Sequence, residues 1–107
     1  MDRAPPVVSL AAARALALPT GRRSAEAFRD DDVEIRFAAP PGVGPQVPHD
    51  RDEFYIVVGG TGLYRIGDVV TAIGPGDLVF AAAHEPHGFE DISPDFMVWI
   101  VFYGQPR

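Results

Sequence analysis

His49-Asp50-Arg51-Asp52-Glu53-Phe54-Tyr55-Ile56-Val57-Val58-Gly59-Gly60 sets a histidine and a glutamate ahead of an apolar run closed by two glycines. Phe54 to Val58 is short, continuous and rich in β-branched and aromatic residues, and it reads as a buried strand. Gly59 and Gly60 read as the turn that ends it. A second stretch, Gly74-Pro75-Gly76-Asp77-Leu78-Val79-Phe80, again places a turn before a strand, and the chain then runs on to Pro86-His87. Two histidines and a glutamate, all metal-ligand groups, are thus set into what otherwise reads as compact β-structure.

Further strands flank these two stretches. Ser24 to Arg29 and Val33 to Ala38 surround Asp30-Asp31-Asp32, which suits a hairpin turn. Val33, Ile35 and Phe37 alternate with Glu34 and Arg36, the pattern of a half-buried strand. Ala39 to Pro48 is rich in proline and glycine and reads as a loop. Leu63 to Ile66 and Val69 to Ile73 pair across Gly67-Asp68. Phe96 to Tyr103 is the longest strand, and it is apolar on both faces: Phe96, Val98, Ile100 and Phe102 point one way, Met97, Trp99, Val101 and Tyr103 the other. Both faces then need cover. The interior of a small barrel covers one, and the N-terminal segment or a second subunit covers the other. A homodimer is the expectation, two-fold dimers being the commonest assembly.

The chain of 107 residues suits one domain with one core. Its 11 glycines and 11 prolines point to many turns and few long helices. Cysteine is absent, which excludes disulfides, thiolate catalysis and cysteine zinc sites. The net charge is −6 and all nine basic residues are scattered arginines, so no basic stripe follows a phosphate backbone and no nucleic-acid partner is expected. No apolar run has the length to span a bilayer. Residues 1–23 read as an N-terminal segment, with a short helix from Ser9 ending before Pro19, and residues 24–107 as the β-domain. Arg14 and Pro5-Pro6 interrupt the apolar N-terminal stretch, so a cytoplasmic location is expected rather than secretion.

On a straight strand His49 and Glu53 would stand about 13 Å apart, at roughly 3.3 Å per residue, too far to share one metal ion. Asp50-Arg51-Asp52 is polar and able to turn the chain, which brings His49 beside Glu53. Tyr55 and Val57 then share the inward face of Glu53. His87 is expected to arrive from the strand after the Gly74-Pro75-Gly76-Asp77 turn. Two imidazoles and one carboxylate suit Fe(II), Mn, Ni, Cu or Zn.

In these motifs the chain resembles a small single-domain cupin, a double-stranded β-helix related to the jelly roll. The cupin first motif is Gly, five residues, His-x-His, three or four residues, Glu, six residues, Gly. His49, Glu53 and Gly60 fit its second half. The second motif is Gly, five residues, Pro-x-Gly, two residues, His, three residues, Asn. Gly76 opens it, His87 is its histidine, and Asp91 stands where Asn is usual. The resemblance covers about residues 24 to 103. It implies an all-β barrel with a short N-terminal helical or extended segment, and a divalent metal ion held by His49, Glu53 and His87. Cupins usually supply three histidines and one glutamate, but Val47 stands where the first histidine would be. Ala82 and His84 replace the Pro and Gly of the second motif, and His tolerates a positive φ better than most residues.

Each residue also has a plainer reading. His49 and His87 can be hydrogen-bonded polar groups at a barrel mouth, with no metal. Asp50, Arg51 and Asp52 are simply a solvated turn, and His84 a turn residue before Pro86. Gln46, Tyr55, Phe37 and His84 are the candidate ligand-pocket residues. Cupins of this size include dioxygenases, isomerases, lyases and decarboxylases, so the resemblance does not select a reaction or establish that the chain is an enzyme. Two functions compete, with a structural or assembly role through the apolar strand faces as a third reading. One is a metal-binding cupin acting on or binding a small molecule in the barrel mouth. The other is a non-catalytic cupin module that holds a small ligand without metal.

Overall fold

The computed structural model describes residues 7–18, 23–41, 44–45 and 49–107, and it is an all-β sandwich of two antiparallel sheets. A short helix, α1 (Leu10–Arg14), precedes nine strands: β1 (Ala25–Asp30), β2 (Val33–Ala38), β3 (Gly44–Pro45), β4 (Asp52–Gly59), β5 (Gly62–Ile66), β6 (Val69–Ile73), β7 (Leu78–Ala81), β8 (His87–Glu90) and β9 (Met97–Tyr103). The larger sheet runs β1-β2-β9-β4-β7 and the smaller β3-β8-β5-β6. The helix is capped by Ser9, whose Oγ accepts from the Ala12 N–H at 3.0 Å.

The core lies between the two inner faces. β4 contributes Tyr55 and Val57, β9 contributes Val98 and Ile100, and β5 and β8 contribute Tyr64 and Phe89. Phe89 packs edge-on against Tyr55 and Phe96, with ring centroids 4.9 and 5.3 Å apart. β9 pairs with both β2 and β4, so its two apolar faces belong to a central strand. Its inner face fills the barrel. Its outer face lies over a shallow groove lined by Val8, Phe28, Ile35, Ile56, Trp99 and Val101. The helix packs near β2 and buries Ala13, but Leu78 and Phe80 on the same outer face stay 66% and 46% exposed.

Two features differ from the strand pattern expected of the sequence. β3 and β8 are additional strands, the first only two residues long and inside the proline-rich loop. The inward face of β2 is the opposite of what hydrophobic alternation suggests. Glu34, Arg36 and Ala38 pair with Phe102, Ile100 and Val98, the inner row of β9, while Phe37 pairs with Trp99 on the outer row. The rings of Phe37 and Trp99 meet edge-to-face at 5.0 Å. Phe37 is buried by that outer packing, so it does not line the cavity.

The turns follow the chemistry of their residues. Gly60 adopts φ +75°, and a Cβ there would lie 2.5 Å from the Phe96 Cα, so only glycine fits between the β4–β5 turn and the start of β9. Asp91 has φ +48° and His84 φ +67°. Both belong to the few residue types that enter this region with modest strain. Asp77 closes its own turn by accepting from the Gly74 N–H at 2.8 Å.

Candidate metal centre

Glu53 is the second residue of β4, in register with Ala81 of β7 and Phe102 of β9, and its side chain points into the barrel. Tyr55 follows two residues on, on the same inner face. His87 opens β8 in the opposite sheet, opposite Ile66 of β5. It therefore reaches the site across the sandwich, not from the strand that follows the Gly74–Asp77 turn, which is β7. His49 precedes β4 at a bend, as the polar Asp50-Arg51 segment allows. Its carbonyl accepts from the His84 N–H at 2.6 Å, and its ring stands edge-on to Phe102 at 4.8 Å.

These three side chains converge. His87 Nε2 lies 2.8 Å and His49 Nε2 3.7 Å from Glu53 Oε1, and one potential ligand atom from each residue lies within 4.8 Å of the others. His87 Nδ1 is 2.8 Å from the Glu85 carbonyl. A carbonyl only accepts, so Nδ1 carries the ring proton and the neutral ring turns a bare Nε2 toward Glu53. A backbone carbonyl bonded to the far ring nitrogen fixes metal-bound histidines in the same tautomer. The Tyr55 hydroxyl, 2.9 Å from Nε2, donates to it.

Glu53 is 1% exposed, and with His87 neutral neither of its carboxylate oxygens has a hydrogen-bond donor among the described residues. Burying a carboxylate this way is costly unless a cation or a proton accompanies it. Burial works against charge on His87, but Glu53 and the Glu85 carbonyl outweigh it and hold the imidazole above its ordinary pKa. Burial and the Glu53 charge push the Tyr55 phenol far above its usual value, which keeps it a donor, and Tyr64 is raised for the same reasons. A donor-free carboxylate between two imidazole nitrogens fits a divalent metal ion, with His49, Glu53 and His87 as the residues that would hold it.

The site opens into a cavity of about 630 Å³. Tyr55 lines it, as do His49 and Glu53. His84 does not. Its backbone holds His49, and its ring is bonded to the carbonyl of Arg107 at the surface. Gln46 and Val47 fall outside the described residues. The cavity also contains a group that the sequence reading passed over, Arg36, on the inner face of β2. Its signal was hidden because the outer face of β2 is apolar too, so alternation named the wrong side as inward.

The family model described as a cupin domain matches residues 19–103. The chain belongs to the cupin family. Its structure superposes on KdgF from a Halomonas species with a TM-score of 0.67 and 23% identity, over 86% of each chain. That likeness is one of fold. In sequence, this cupin is 39% identical to an uncharacterized protein of Streptomyces coelicolor over 53% of the chain and 54% of that protein. It is 40% identical to the HTH-type transcriptional activator RhaR of Pectobacterium atrosepticum over 50% of the chain and 19% of RhaR. The chain thus matches about half the length of the first of these relatives and a fifth of the second. Among the described residues no helix is long and apolar enough to cross a membrane.

Proposed function

We propose that this cupin binds a divalent transition metal ion through His49, Glu53 and His87 and takes a small molecule in the barrel mouth beside it. The observation that carries this reading is the buried Glu53 carboxylate, without a donor and facing two imidazole nitrogens. Fe, Mn, Ni, Cu and Zn all suit this ligand set. When bound, such an ion supplies Lewis-acid polarisation of a ligand oxygen. The chain's own contribution is to fix the His87 tautomer through Glu85, to shield Glu53 from water, and to hold the Tyr55 proton at the cavity wall. Elemental analysis of protein purified without chelators tests the reading. One equivalent of metal in the wild type, lost in His49→Ala and His87→Ala, supports it, and stoichiometry near zero throughout overturns it.

A second reading is a binding module without catalysis, and the similarity to part of a transcriptional activator favours it. A small ligand that raises the melting temperature of the metal-free protein, with no turnover, supports it. The same outer sheet face that leaves Leu78 and Phe80 exposed supports a homodimer. A cytoplasmic location completes the reading.

A further inference from the structure

Arg36 is a charged residue on the inner face of a small barrel, with its side chain only 9% exposed. Such a placement is costly unless the guanidinium is neutralised and bonded. Nε donates to Ser24 Oγ at 2.7 Å, Nη2 to the Ser24 carbonyl at 2.8 Å, and Nη1 to Glu34 Oε2 at 3.0 Å. Among the described residues three of its five N–H groups are engaged, which leaves one on each terminal nitrogen. Arg51, 19% exposed, also reaches Glu34, at 3.4 Å, and its guanidinium lies over the Phe102 ring. Glu34 accepts from the exposed Arg29 as well, although Arg29 has Glu26 as a second partner. Two largely buried guanidinium groups therefore share one carboxylate. The exposed Arg23 and Asp50 also line the cavity.

This positive end has a fixed place relative to the candidate metal centre. Arg36, Ile100 and Tyr55 lie in one row across β2, β9 and β4, and Glu34, Phe102 and Glu53 lie in the next. Two strand spacings separate the ends of each row, about 10 Å from backbone to backbone. Ile100 and Phe102 form an apolar floor between them.

From this arrangement, which rests on the metal reading above, we infer that the cavity takes a small organic acid. Its oxygen donors face His49, Glu53 and His87, its apolar body lies on Ile100 and Phe102, and its carboxylate binds at the Arg36–Arg51 end. A carboxylate there balances the excess guanidinium charge and uses the Arg36 N–H groups that have no partner among the described residues, an interaction stronger than a neutral hydrogen bond. An acetate-sized ion would fill only one end. The span selects an acid with donors at both ends.

The probes are 2-oxoglutarate and 2-oxopentanoate, which share a 2-oxo acid end and differ only in the distal carboxylate. Calorimetric titration of the metal-loaded wild type should show 2-oxoglutarate binding roughly tenfold or more tighter, the range of a charge-assisted contact. The preference should shrink to about twofold or less in Arg36→Met and in Arg51→Met. Equal affinities in the wild type overturn the inference, and need no variant to fold. A preference that survives both substitutions, or binding of neither acid, also overturns it. Metal content measured on the same samples separates the two readings. Protein that retains metal without any preference leaves the metal centre standing and removes the carboxylate end. Protein that takes up no metal fails the metal reading, and there an Arg-dependent preference for 2-oxoglutarate still supports the guanidinium end.

Discussion

His87 Nε2 faces Glu53 Oε1 at 2.8 Å, although the ring proton is already committed to the Glu85 carbonyl through Nδ1. In the neutral ring Nε2 therefore has no proton to offer Glu53, and the contact becomes favourable only when a proton or a metal ion sits between them. This one relationship sets the behaviour of the whole centre.

It predicts that pH acts in opposite directions on the two forms. The folded-state pKa of His87 is raised, so the proton on its imidazole stabilises the metal-free fold fully below the unfolded value, about pH 6.5, and that contribution is lost as pH rises through the folded value. Metal needs Nε2 unprotonated, so the metal-loaded form gains as pH rises. Melting curves from about pH 5.5 to 9, with and without chelator, should slope oppositely over that window. Glu53→Gln removes the buried charge that stands 2.8 Å from the unprotonated Nε2. It should stabilise the metal-free protein by about 1–3 kcal/mol near pH 9 and abolish the metal-induced shift.

Tyr55 competes with metal for the same lone pair. Tyr55→Phe removes the donor and leaves the ring in the Phe89 packing. Metal affinity should rise roughly 2- to 10-fold, corresponding to a hydrogen bond of about 0.5–1.5 kcal/mol. A competitive chelator titration measures it. A fall in affinity would mean that the hydroxyl helps to hold the metal.

The turn glycines should differ in cost. Gly60→Ala meets the Phe96 backbone at 2.5 Å as well as a positive φ, whereas at Gly67, with φ +56°, an added Cβ meets nothing within 4 Å. Denaturant unfolding should show about 1–2 kcal/mol lost for Gly67→Ala and about 2–5 kcal/mol for Gly60→Ala, where overpacking adds to strain.

The outer face of the larger sheet should be covered by a second copy of the chain. Light scattering at micromolar concentration should give a dimer for the wild type and a monomer for Leu78→Glu combined with Phe80→Glu, both exposed on that face. A wild-type monomer contradicts the dimer.

Much of this fold was legible because its signals are local. Gly67-Asp68 fixed the β5–β6 hairpin, and the Gly74–Asp77 turn fixed where β7 starts. The His49–Glu53 spacing marked the bend that brings two candidate ligands together. β8 was less legible because Gly88 interrupts its apolar run and its first residue is a polar histidine, a candidate ligand. The facing of β2 was hidden for a different reason. Alternation identifies an inner face only when the outer one is wet, and here Phe37 and Ile35 pack outward against apolar neighbours while Arg36 turns inward. The arginine end of the cavity was missed with it.

The most direct test of the metal centre is anomalous diffraction from crystals of the chelator-free protein, recorded at the absorption edge of the metal found by elemental analysis. A single strong peak bounded by His49 Nε2, His87 Nε2 and the Glu53 carboxylate is the predicted result. An ordered site with no peak there, and His87 still bonded only to Tyr55 and Glu85, would contradict it.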